Sequence, residues 1–417
     1  MQINKLIDWL QKQKKINKLE IQKKNINNLK DWIFKKNLIY HKTKNFFLIK
    51  AFLFKKKNKK KFQPLIVQKE EGILGIIKQK RQGKDYYLLQ SKIEPGNING
   101  IQISPTVQAT KSNYLRKHGG KKTLFLDYFL KTKKNFKIIS KLKLSEQGSR
   151  FLKKNNWNIL CEAKKITIPI KKNYYWLTKE NIKNLINKKN MINMDTISVL
   201  SSIIKKNSID KKVNSSKYLD IKLKKFNRKL KLKRQQINFK DLRGWKIDKN
   251  SIYDINKKMF SIFFIDVLAN LREVKKWEQP IISDHFSSFN GFLVSEINNT
   301  KHYLLKIISE LGFDKTKYTS TIFEKNFSIK SRKKIKYKSL FNKKNCSIDI
   351  INSDEGGRFL KNQTRNMVCE LKDHNKISLN DNFVWASHNQ VVELINQNKM
   401  TIEARNLFAS CNVDKIK

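Results

Sequence analysis

The sequence predicts an α+β fold in which one mixed-sheet domain occurs twice, and three observations support this prediction. The segment 145–162 aligns without gaps to the segment 353–370, with 9 of 18 positions identical. Landmark residues on either side of these segments recur in the same order. Within each copy, short apolar and aromatic runs typical of strands precede segments with helical periodicity. Strands followed by helices inside one repeat indicate an α+β domain.

The flanking landmarks define the limits of the two copies. For example, LKDWIFKKNLIY (29–40) resembles LRGWKIDKNSIY (242–253), with matching tryptophan and tyrosine positions. The first copy therefore runs from 20 to 205 and the second from 237 to 417. The Lys-rich connector between them, residues 206–236, is predicted to be a solvated linker or a bridging helix.

The chain has 417 residues and a formal net charge of +57, which by itself suggests nucleic-acid binding. However, 80 of its 91 basic residues are lysines and only 11 are arginines. Lys, Asn and Ile have AT-rich codons, and Gly and Pro, whose codons are GC-rich, are scarce. Proteins dedicated to phosphate recognition favour arginine. We therefore interpret the charge as a by-product of an AT-rich genome, with a basic nucleic-acid-binding protein kept as the alternative.

The four cysteines form no CxxC pair and no zinc-type cluster with histidine. Cys161 and Cys369 occupy equivalent repeat positions, so both are predicted to be buried thiols in a reducing cytosol. The N-terminus lacks the apolar run of a signal peptide. The apolar stretch 46–54 is interrupted by Lys50 and is predicted to be a buried strand. A cytoplasmic, soluble protein is expected.

The densest group of unusual polar residues lies in ISPTVQATKSNYLRKHGG, residues 103–120. A glycine pair there permits close approach of the backbone to a ligand, and the neighbouring side chains supply donors, acceptors and a titratable ring. A strand followed by an ordinary polar loop is the alternative. The residues concerned are Pro105, Gln108, Asn113, Tyr114, Arg116, His118, Gly119 and Gly120.

Arginines are rare in this chain, yet several lie within the motifs. Guanidinium groups bind a diphosphate in a bidentate geometry that lysine does not reproduce. Arg150 and Arg358 occupy matching repeat positions, so a structural ion pair shared by both copies is an equal alternative. Arg365 has Trp157 as its counterpart and is the stronger functional candidate. The motif arginines are Arg116, Arg150, Arg358, Arg365 and Arg405.

The remaining candidates are acidic and aromatic. Asp195 and Glu403 are repeat equivalents that open helical segments, where a capping role is the alternative to a functional one. Trp385 and its equivalent Trp176 are predicted to be core residues, whereas Trp277 could stack against a base or sugar. The sequence contains no Walker A, GxGxxG, GxSxG or HExxH motif. No cofactor and no metal are predicted.

Several long motifs resemble the NDP-hexose 2,3-dehydratase family. The segments 105–130, 144–158 and 193–201 resemble its first half, and 353–368 and 402–409 resemble its second half. The resemblance implies two Nudix-like α+β domains in tandem, usually as a homodimer, without the catalytic Nudix box. It implies conversion of dTDP-4-keto-6-deoxyglucose to dTDP-3,4-diketo-2,6-dideoxyglucose in deoxysugar biosynthesis.

The implied chemistry requires no cofactor. The 4-keto group acidifies the proton on carbon 3, a base removes it, and donors stabilise the enolate. The hydroxyl on carbon 2 then leaves, and the enol tautomerises to the diketo sugar. This labile product implies an NADPH-dependent 3-ketoreductase as the downstream partner, with no membrane and no specific nucleic acid involved.

The resemblance also implies site residues. The acid/base candidates are Tyr114, His118 and Glu403. The substrate-binding candidates are Phe62, Ser112, Asn113, Tyr114, Leu115, Arg116, Ser145, Trp277, Arg358, Asn362, Arg365, Asn366, Trp385, Glu403 and Arg405.

The two halves depart from each other at ligand positions. Phe62 stands where a tryptophan is expected, STIF (320–323) replaces the PTVQ-like stretch, and Ile197 stands opposite Arg405. We therefore expect one catalytic site and one weakened site. A decayed, non-catalytic homologue is a further alternative.

Overall fold

The computed structural model describes residues 3–56, 58–117, 119–130, 135–164, 168, 171–270, 272–325 and 336–417. The α-helices are α1 (Ile3–Ile16), α2 (Lys111–Tyr114), α3 (Lys179–Ile186), α4 (Met194–Ser201), α5 (Ser216–Lys229), α6 (His388–Asn396) and α7 (Ile402–Cys411).

The strands before α5 are β1 (Leu19–Lys24), β2 (Trp32–Phe34), β3 (Leu38–His41), β4 (Leu48–Lys56), β5 (Lys59–Val67), β6 (Gly72–Arg81), β7 (Lys84–Ile93), β8 (Ile101–Ser104), β9 (Val107–Ala109), β10 (Phe136–Ser145), β11 (Asn155–Ala163) and β12 (Tyr174–Leu177). Those after α5 are β13 (Leu232–Ile237), β14 (Trp245–Ile247), β15 (Ser251–Asp254), β16 (Phe260–Ala269), β17 (Lys276–Asp284), β18 (Ser288–Ile297), β19 (Thr300–Ile308), β20 (Lys317–Thr319), β21 (Ile322–Glu324), β22 (Cys346–Ser353), β23 (Gln363–Glu370) and β24 (Phe383–Ser387). The prediction of a mixed α+β fold is confirmed.

Two seven-stranded mixed sheets form the centre of the molecule. One has the order β10-β11-β6-β7-β12, with β8 on β7 and β9 on β6. The other has the order β20-β19-β18-β23-β22, with β21 on β18 and β24 on β19. In each sheet one pair is parallel, β6 with β11 and β18 with β23, and the other named pairs are antiparallel. Their apolar faces pack against α4 and α7 in one core that contains residues from both halves of the chain.

Two five-stranded sheets each receive one strand from outside their own half. The sheet of β2–β5 receives β13 from the end of the connector, with Ile237 opposite Ala51 of β4. The sheet of β14–β17 receives β1 from the first half, with Leu19 opposite Ala269 of β16. Both small sheets are therefore completed by a segment that is distant in the sequence. The apolar stretch 46–54 lies mostly within β4, as predicted.

The connector 206–236 is built into this arrangement. Its helix α5 buries Leu219 and Leu223 in the central core. Its last residues form β13, which fills the edge of the first half's small sheet. The bridging-helix alternative is therefore the one that the structure adopts.

The cysteines differ in their bonding. Cys161 is a buried free thiol, as predicted. The same prediction for Cys369 is wrong, because Cys369 forms a disulfide with Cys346 on the neighbouring strand β22. The thiol pattern at this position therefore gives no support to a reducing compartment. Among the described residues, no helix has the length and apolarity needed to cross a membrane.

Candidate active site

A cleft between the two halves contains two adjoining cavities. The inner cavity has a volume of about 100 Å³ and is lined mainly by polar residues of the first half. The outer cavity has a volume of about 310 Å³ and is lined mainly by aromatic and basic residues. The residues at their common boundary are Asn113, Arg272, Trp277, Gln279 and Arg358.

The second half supplies one wall of the cleft through β17 and the loop 355–359. Gln279 accepts a hydrogen bond from Trp277 Nε1 at 2.8 Å and donates one to the carbonyl oxygen of Gly357 at 2.7 Å. The loop is fixed to the first half where Gly96 N donates to the carbonyl oxygen of Gly356 at 2.7 Å. A side chain at Gly96 would approach the oxygen of Phe359 to 1.7 Å, so this contact requires glycine.

Two buried carboxylates of the first half form the floor of the inner cavity. Glu94 follows β7, and Asp195 lies in the first turn of α4. The side-chain nitrogen of Gln108 connects them, at 2.7 Å from Asp195 Oδ2 and 3.4 Å from Glu94 Oε1. Glu94 also accepts from Lys92 at 3.1 Å and from Asn193 Nδ2 at 3.2 Å. The two carboxyl groups therefore share one donor but differ in their other partners.

Burial raises the pKa of Asp195 well above its usual range, and the nearby carboxylates Glu146, Glu355 and Glu94 raise it further. Lys92 opposes this shift. The helix cap is Asn193, whose side chain accepts from Asp195 N at 2.6 Å. The capping alternative for Asp195 is therefore not what the structure has, and its carboxyl group lines the cavity.

Two further ionisable groups line the inner cavity. Burial lowers the pKa of the Lys154 ammonium to about 8, against the opposing effect of Glu146. Burial and the charge of Glu94 raise the pKa of Glu355 to about 7, although Arg358 opposes this shift. A small cavity thus contains two groups whose pKa values are shifted toward neutral pH, and such shifts are common at catalytic sites.

The outer cavity provides aromatic surfaces. Trp32 donates from Nε1 to the carbonyl oxygen of Glu278 at 2.8 Å and contacts Phe47, with ring centroids 4.9 Å apart. His41 and Phe46 continue the wall in an edge-to-face pair. The lysines at its rim are Lys117 and Lys276. Such a cavity suits an aromatic base with an attached anion.

The two repeat-equivalent arginines have different partners. Arg150 forms a buried ion pair with Asp284 at 2.7 Å. Arg358 lies over the ring of Phe47, with 4.1 Å between the guanidinium carbon and the ring centroid, and donates to the carbonyl oxygen of Gly357. Its Nε has no partner, and no described carboxylate forms an ion pair with it. Arg150 is thus structural, whereas Arg358 has donors available for an anion in the cleft.

The matching position in the second half is largely filled. Lys325 pairs with Asp354 at 2.7 Å and lies 3.9 Å from Asp284. A cavity of about 30 Å³ remains beside Glu403. Phe323 replaces Gln108 in register, since Gln108 pairs with Leu74 of β6 and Phe323 with Asn290 of β18.

Of the candidates predicted from the 103–120 segment, Asn113 lines both cavities. Ser112 instead binds Glu70 through its backbone N at 2.6 Å and its hydroxyl at 2.8 Å. Tyr114 faces a separate groove beside Trp157. The remaining candidates there are Leu115 and Arg116, which are exposed, and His118, which lies outside the described residues.

Trp277 and Arg358 line the cleft, but the other second-half candidates lie elsewhere. Glu403, Asn366 and Arg405 are buried near the small second-half cavity or between the two halves. Arg365 forms a bidentate pair with Asp349 on an exposed strand face, with both distances 2.7 Å. Trp385 is a core residue.

Three more candidates make structural contacts away from the cleft. Ser145 accepts a hydrogen bond from Lys317 Nζ at 2.8 Å. Asn362 accepts from Asp284 N at 2.9 Å. Phe62 packs beside the small-sheet core, and its carbonyl oxygen accepts from Trp245 Nε1 at 2.9 Å.

Sequence reasoning did not single out several residues of the cleft. Glu94 and Lys92 lie in an ordinary strand end, and nothing in their spacing indicates a site. Arg272 carried a usable signal, because it is one of only 11 arginines. Trp32 carried another, since it recurs as Trp245.

Comparison with known proteins adds independent findings. The model of the family described as NDP-hexose 2,3-dehydratase matches residues 3–203 and 218–411. Three similar proteins are each named dTDP-4-dehydro-6-deoxy-alpha-D-glucopyranose 2,3-dehydratase. The one from Amycolatopsis orientalis is 29% identical over 84% of this chain and 75% of its own length. Those from Streptomyces violaceoruber and Saccharopolyspora spinosa are 28% identical, over 83% and 84% of this chain and 82% and 77% of their own lengths.

Proposed function

The chain belongs to the NDP-hexose 2,3-dehydratase family, and on that premise we propose that its cleft eliminates water from carbons 2 and 3 of dTDP-4-keto-6-deoxyglucose. The product is dTDP-3,4-diketo-2,6-dideoxyglucose. One observation carries this proposal to the inner cavity. There, two buried carboxyl groups joined by Gln108 line the same cavity as Arg358, whose Nε has no hydrogen-bond partner.

The two cavities accommodate the two ends of this substrate. The thymine base occupies the aromatic outer cavity beside Trp277 and Phe47. The diphosphate lies at the boundary, where Arg358 has free donors and Lys117 adds a positive charge. The hexose then extends into the inner cavity, over Glu94 and the rest of the acidic floor.

The surroundings of the two carboxyl groups support different roles for them. Glu94 is contacted by Lys92, Asn193 and Gln108, and it acts as the base that takes the proton from carbon 3. Burial and neighbouring carboxylates raise the pKa of Asp195, and this carboxyl group acts as the acid that donates a proton to the hydroxyl that leaves carbon 2. Lys92 and Lys154 supply positive charge to the enolate oxygen on carbon 4.

The atoms balance in two steps. The C3–H and C2–O bonds break, a C2=C3 double bond forms, and one water leaves. The resulting enol then takes a proton at carbon 2 and loses the proton of its 3-hydroxyl, giving the 3,4-diketone. Since this diketone is labile, we propose that an NADPH-dependent 3-ketoreductase consumes it in the cytoplasm, as a step of secondary metabolism.

We also propose a tandem, dimeric architecture for the enzyme. Each half, 20–205 and 237–417, is proposed to be one Nudix-like repeat, and the enzyme a homodimer. The matching strand orders of the two seven-stranded sheets support the repeat. The retained Arg150 and Arg358 positions and their aromatic contacts support it as well.

The test is incubation with dTDP-4-keto-6-deoxyglucose, a 3-ketoreductase and NADPH in D₂O. The expected product is a 2-deoxy sugar nucleotide that has lost one oxygen atom and carries deuterium at carbon 2. The Glu94→Gln and Asp195→Asn variants are expected to form it far more slowly. If folded protein gives no such product but still binds dTDP, the chain is a non-catalytic homologue. If it binds only polyanions, and only at low salt, the nucleic-acid alternative replaces the proposal.

A further inference from the structure

Arg272 lies at the boundary of the two cavities, on the loop that leads into β17. Its Nη1 is 3.7 Å from Glu94 Oε1 and 3.4 Å from the carbonyl oxygen of Ile93, and its Nε is 3.8 Å from Glu273 Oε2. The guanidinium carbon lies 5.7 Å from the ring centroid of Trp277. All these contacts are longer than the distance of about 2.7–2.9 Å typical of a charge-assisted hydrogen bond. Arg272 is therefore held loosely between a carboxylate and the cleft.

Few positively charged side chains contact the Glu94 carboxylate. Lys92 contacts it directly at 3.1 Å, and Arg272 is the second cation within salt-bridge distance. The charged groups that face Glu94 from the surrounding elements are Lys92, Arg272, Arg358, Asp195 and Glu355. Loss of Arg272 would leave Lys92 as its only contacting cation among the described residues.

We propose that Arg272 couples diphosphate binding to the activation of Glu94. In the empty cleft Arg272 partly neutralises Glu94. When the substrate's diphosphate occupies the boundary, the guanidinium turns to bind it in the bidentate geometry that arginine favours. Glu94 then has one cation fewer and becomes a stronger base. This inference rests on the proposed function and names a coupling residue for the same site.

The coupling would tie base strength to the correct ligand. A sugar without a diphosphate leaves Arg272 on Glu94 and so meets a weaker base. Binding energy from the nucleotide end of the substrate is thereby used at carbon 3, which lies far from it. Because a carboxylate that loses a neighbouring cation binds protons more tightly, ligand binding is accompanied by proton uptake.

Calorimetry with dTDP-glucose tests this linkage. The ligand lacks the 4-keto group and so does not react, and its diphosphate diester does not titrate near neutral pH. Titrations in two buffers of different ionisation enthalpy, from weakly acidic to neutral pH, give the protons taken up per ligand bound. The wild-type chain is expected to take up a measurable fraction of a proton, and Glu94→Gln is expected to take up less, because only Lys154, Glu355 and Asp195 of the same cavity remain to respond to the ligand's charge.

The Arg272→Met variant distinguishes displacement of the Arg272 guanidinium from a direct electrostatic effect of the ligand's negative charge. If the guanidinium moves, the variant has nothing to displace and proton uptake falls to the level of Glu94→Gln, although the ligand binds about 10-fold or more weakly. If uptake arises only from the ligand's negative charge, it persists in Arg272→Met, and the proposal is overturned. Arg243→Met is the matched control, because Arg243 is exposed over Phe62 on the other half and is expected to leave uptake unchanged.

The pH profiles of kcat and kcat/KM give a second measurement, which compares the wild type with two variants and so does not depend on one variant folding correctly. In the wild type, the acid limb of the kcat profile is expected at higher pH than that of kcat/KM. In Arg272→Met the two acid limbs are expected at the same pH. Arg272→Lys keeps the positive charge but lacks the bidentate guanidinium geometry, so its two limbs are expected to lie closer together than those of the wild type. Binding of dTDP-glucose without proton uptake refutes the coupling and leaves the proposed function intact. Absence of binding counts against both.

Discussion

At the scale of single residues, chemistry in the cleft depends on how the fold distinguishes similar groups. Asp195 and Glu94 share the Gln108 amide, yet only Asp195 is surrounded mainly by other carboxylates. This difference in surroundings is the basis for proposing Asp195 as the acid and Glu94 as the base. Arg150 and Arg358 are divided in a similar way, because Asp284 pairs with the first and no described carboxylate pairs with the second.

We predict that Asp195→Asn lowers kcat by about 10²–10⁴-fold, the usual contribution of a general acid or base. The wild-type rate should fall as pH rises through the raised pKa of Asp195, because only the neutral carboxyl group donates a proton. This fall should be missing from the residual activity of the variant. The measurement is the pH dependence of kcat in the reductase-coupled assay.

The control for this variant is Asp381→Asn, which changes an exposed carboxylate with no ion pair among the described residues. Its rate should equal that of the wild type. An Asp195→Asn variant that keeps the full rate and the same basic limb would remove Asp195 from the acid's role.

The sequence predicted part of this site. Asn113, Trp277 and Arg358 were identified from motifs, and all three line the cleft. Arg365 was preferred because its repeat counterpart is Trp157 and not another arginine, but it pairs with Asp349 on an exposed strand. Ion pairing depends on which carboxylate lies across a strand, and a single sequence does not contain that information.

At the scale of elements, the helices that close each half begin in the same way. Thr178 caps α3 and Ser387 caps α6, and each belongs to a capping box in which the third helical residue bonds back to the cap. Ser387 has an additional role, because its hydroxyl donates to Asp210 Oδ2 at 2.6 Å. The second cap therefore also fixes the start of the connector.

We expect Thr178→Ala to lower the free energy of unfolding by about 1 kcal/mol, the usual value for a lost cap. Ser387→Ala should cost more, about 2 kcal/mol, since it also leaves the part-buried Asp210 without one donor. Chemical denaturation of both variants measures the difference. Ser208→Ala, at an exposed position outside any helix, should be neutral. Equal losses for the two caps would show that the Asp210 contact contributes nothing.

Element types were easier to predict than their partners. The apolar run 46–54 was identified correctly as a strand because its pattern is local. The addition of β1 and β13 to the small sheets was not predicted. Both strands are short, polar and only partly buried, so their sequences resemble solvated segments. Pairing across 176 to 250 residues leaves no local signal.

At the scale of the whole molecule, the added strands β1 and β13 and the shared core make the two halves one interlocked unit. The cleft is a product of this arrangement, because its floor comes from the first half and its wall from the second. The reciprocal cleft, with a floor from the second half, is occupied by Lys325 and its partners Asp354 and Asp284. The asymmetry of the ligand motifs is thus matched by an asymmetry of free space.

This asymmetry predicts that each chain binds one dTDP-glucose. Lys325 fills the corresponding position of the second half, and its ammonium group is already paired with Asp354. Opening that position for a ligand would break buried ion pairs at a cost of several kcal/mol. Calorimetric titration at moderate salt should give one site per chain. Arg358→Met should weaken that site by about 10- to 100-fold, in line with the loss of a charge-assisted contact. Arg81→Met, which removes an exposed arginine over Trp176, should leave it unchanged. A second site that persists in Arg358→Met would mean that the second half also binds the nucleotide, and that Lys325 moves to admit it.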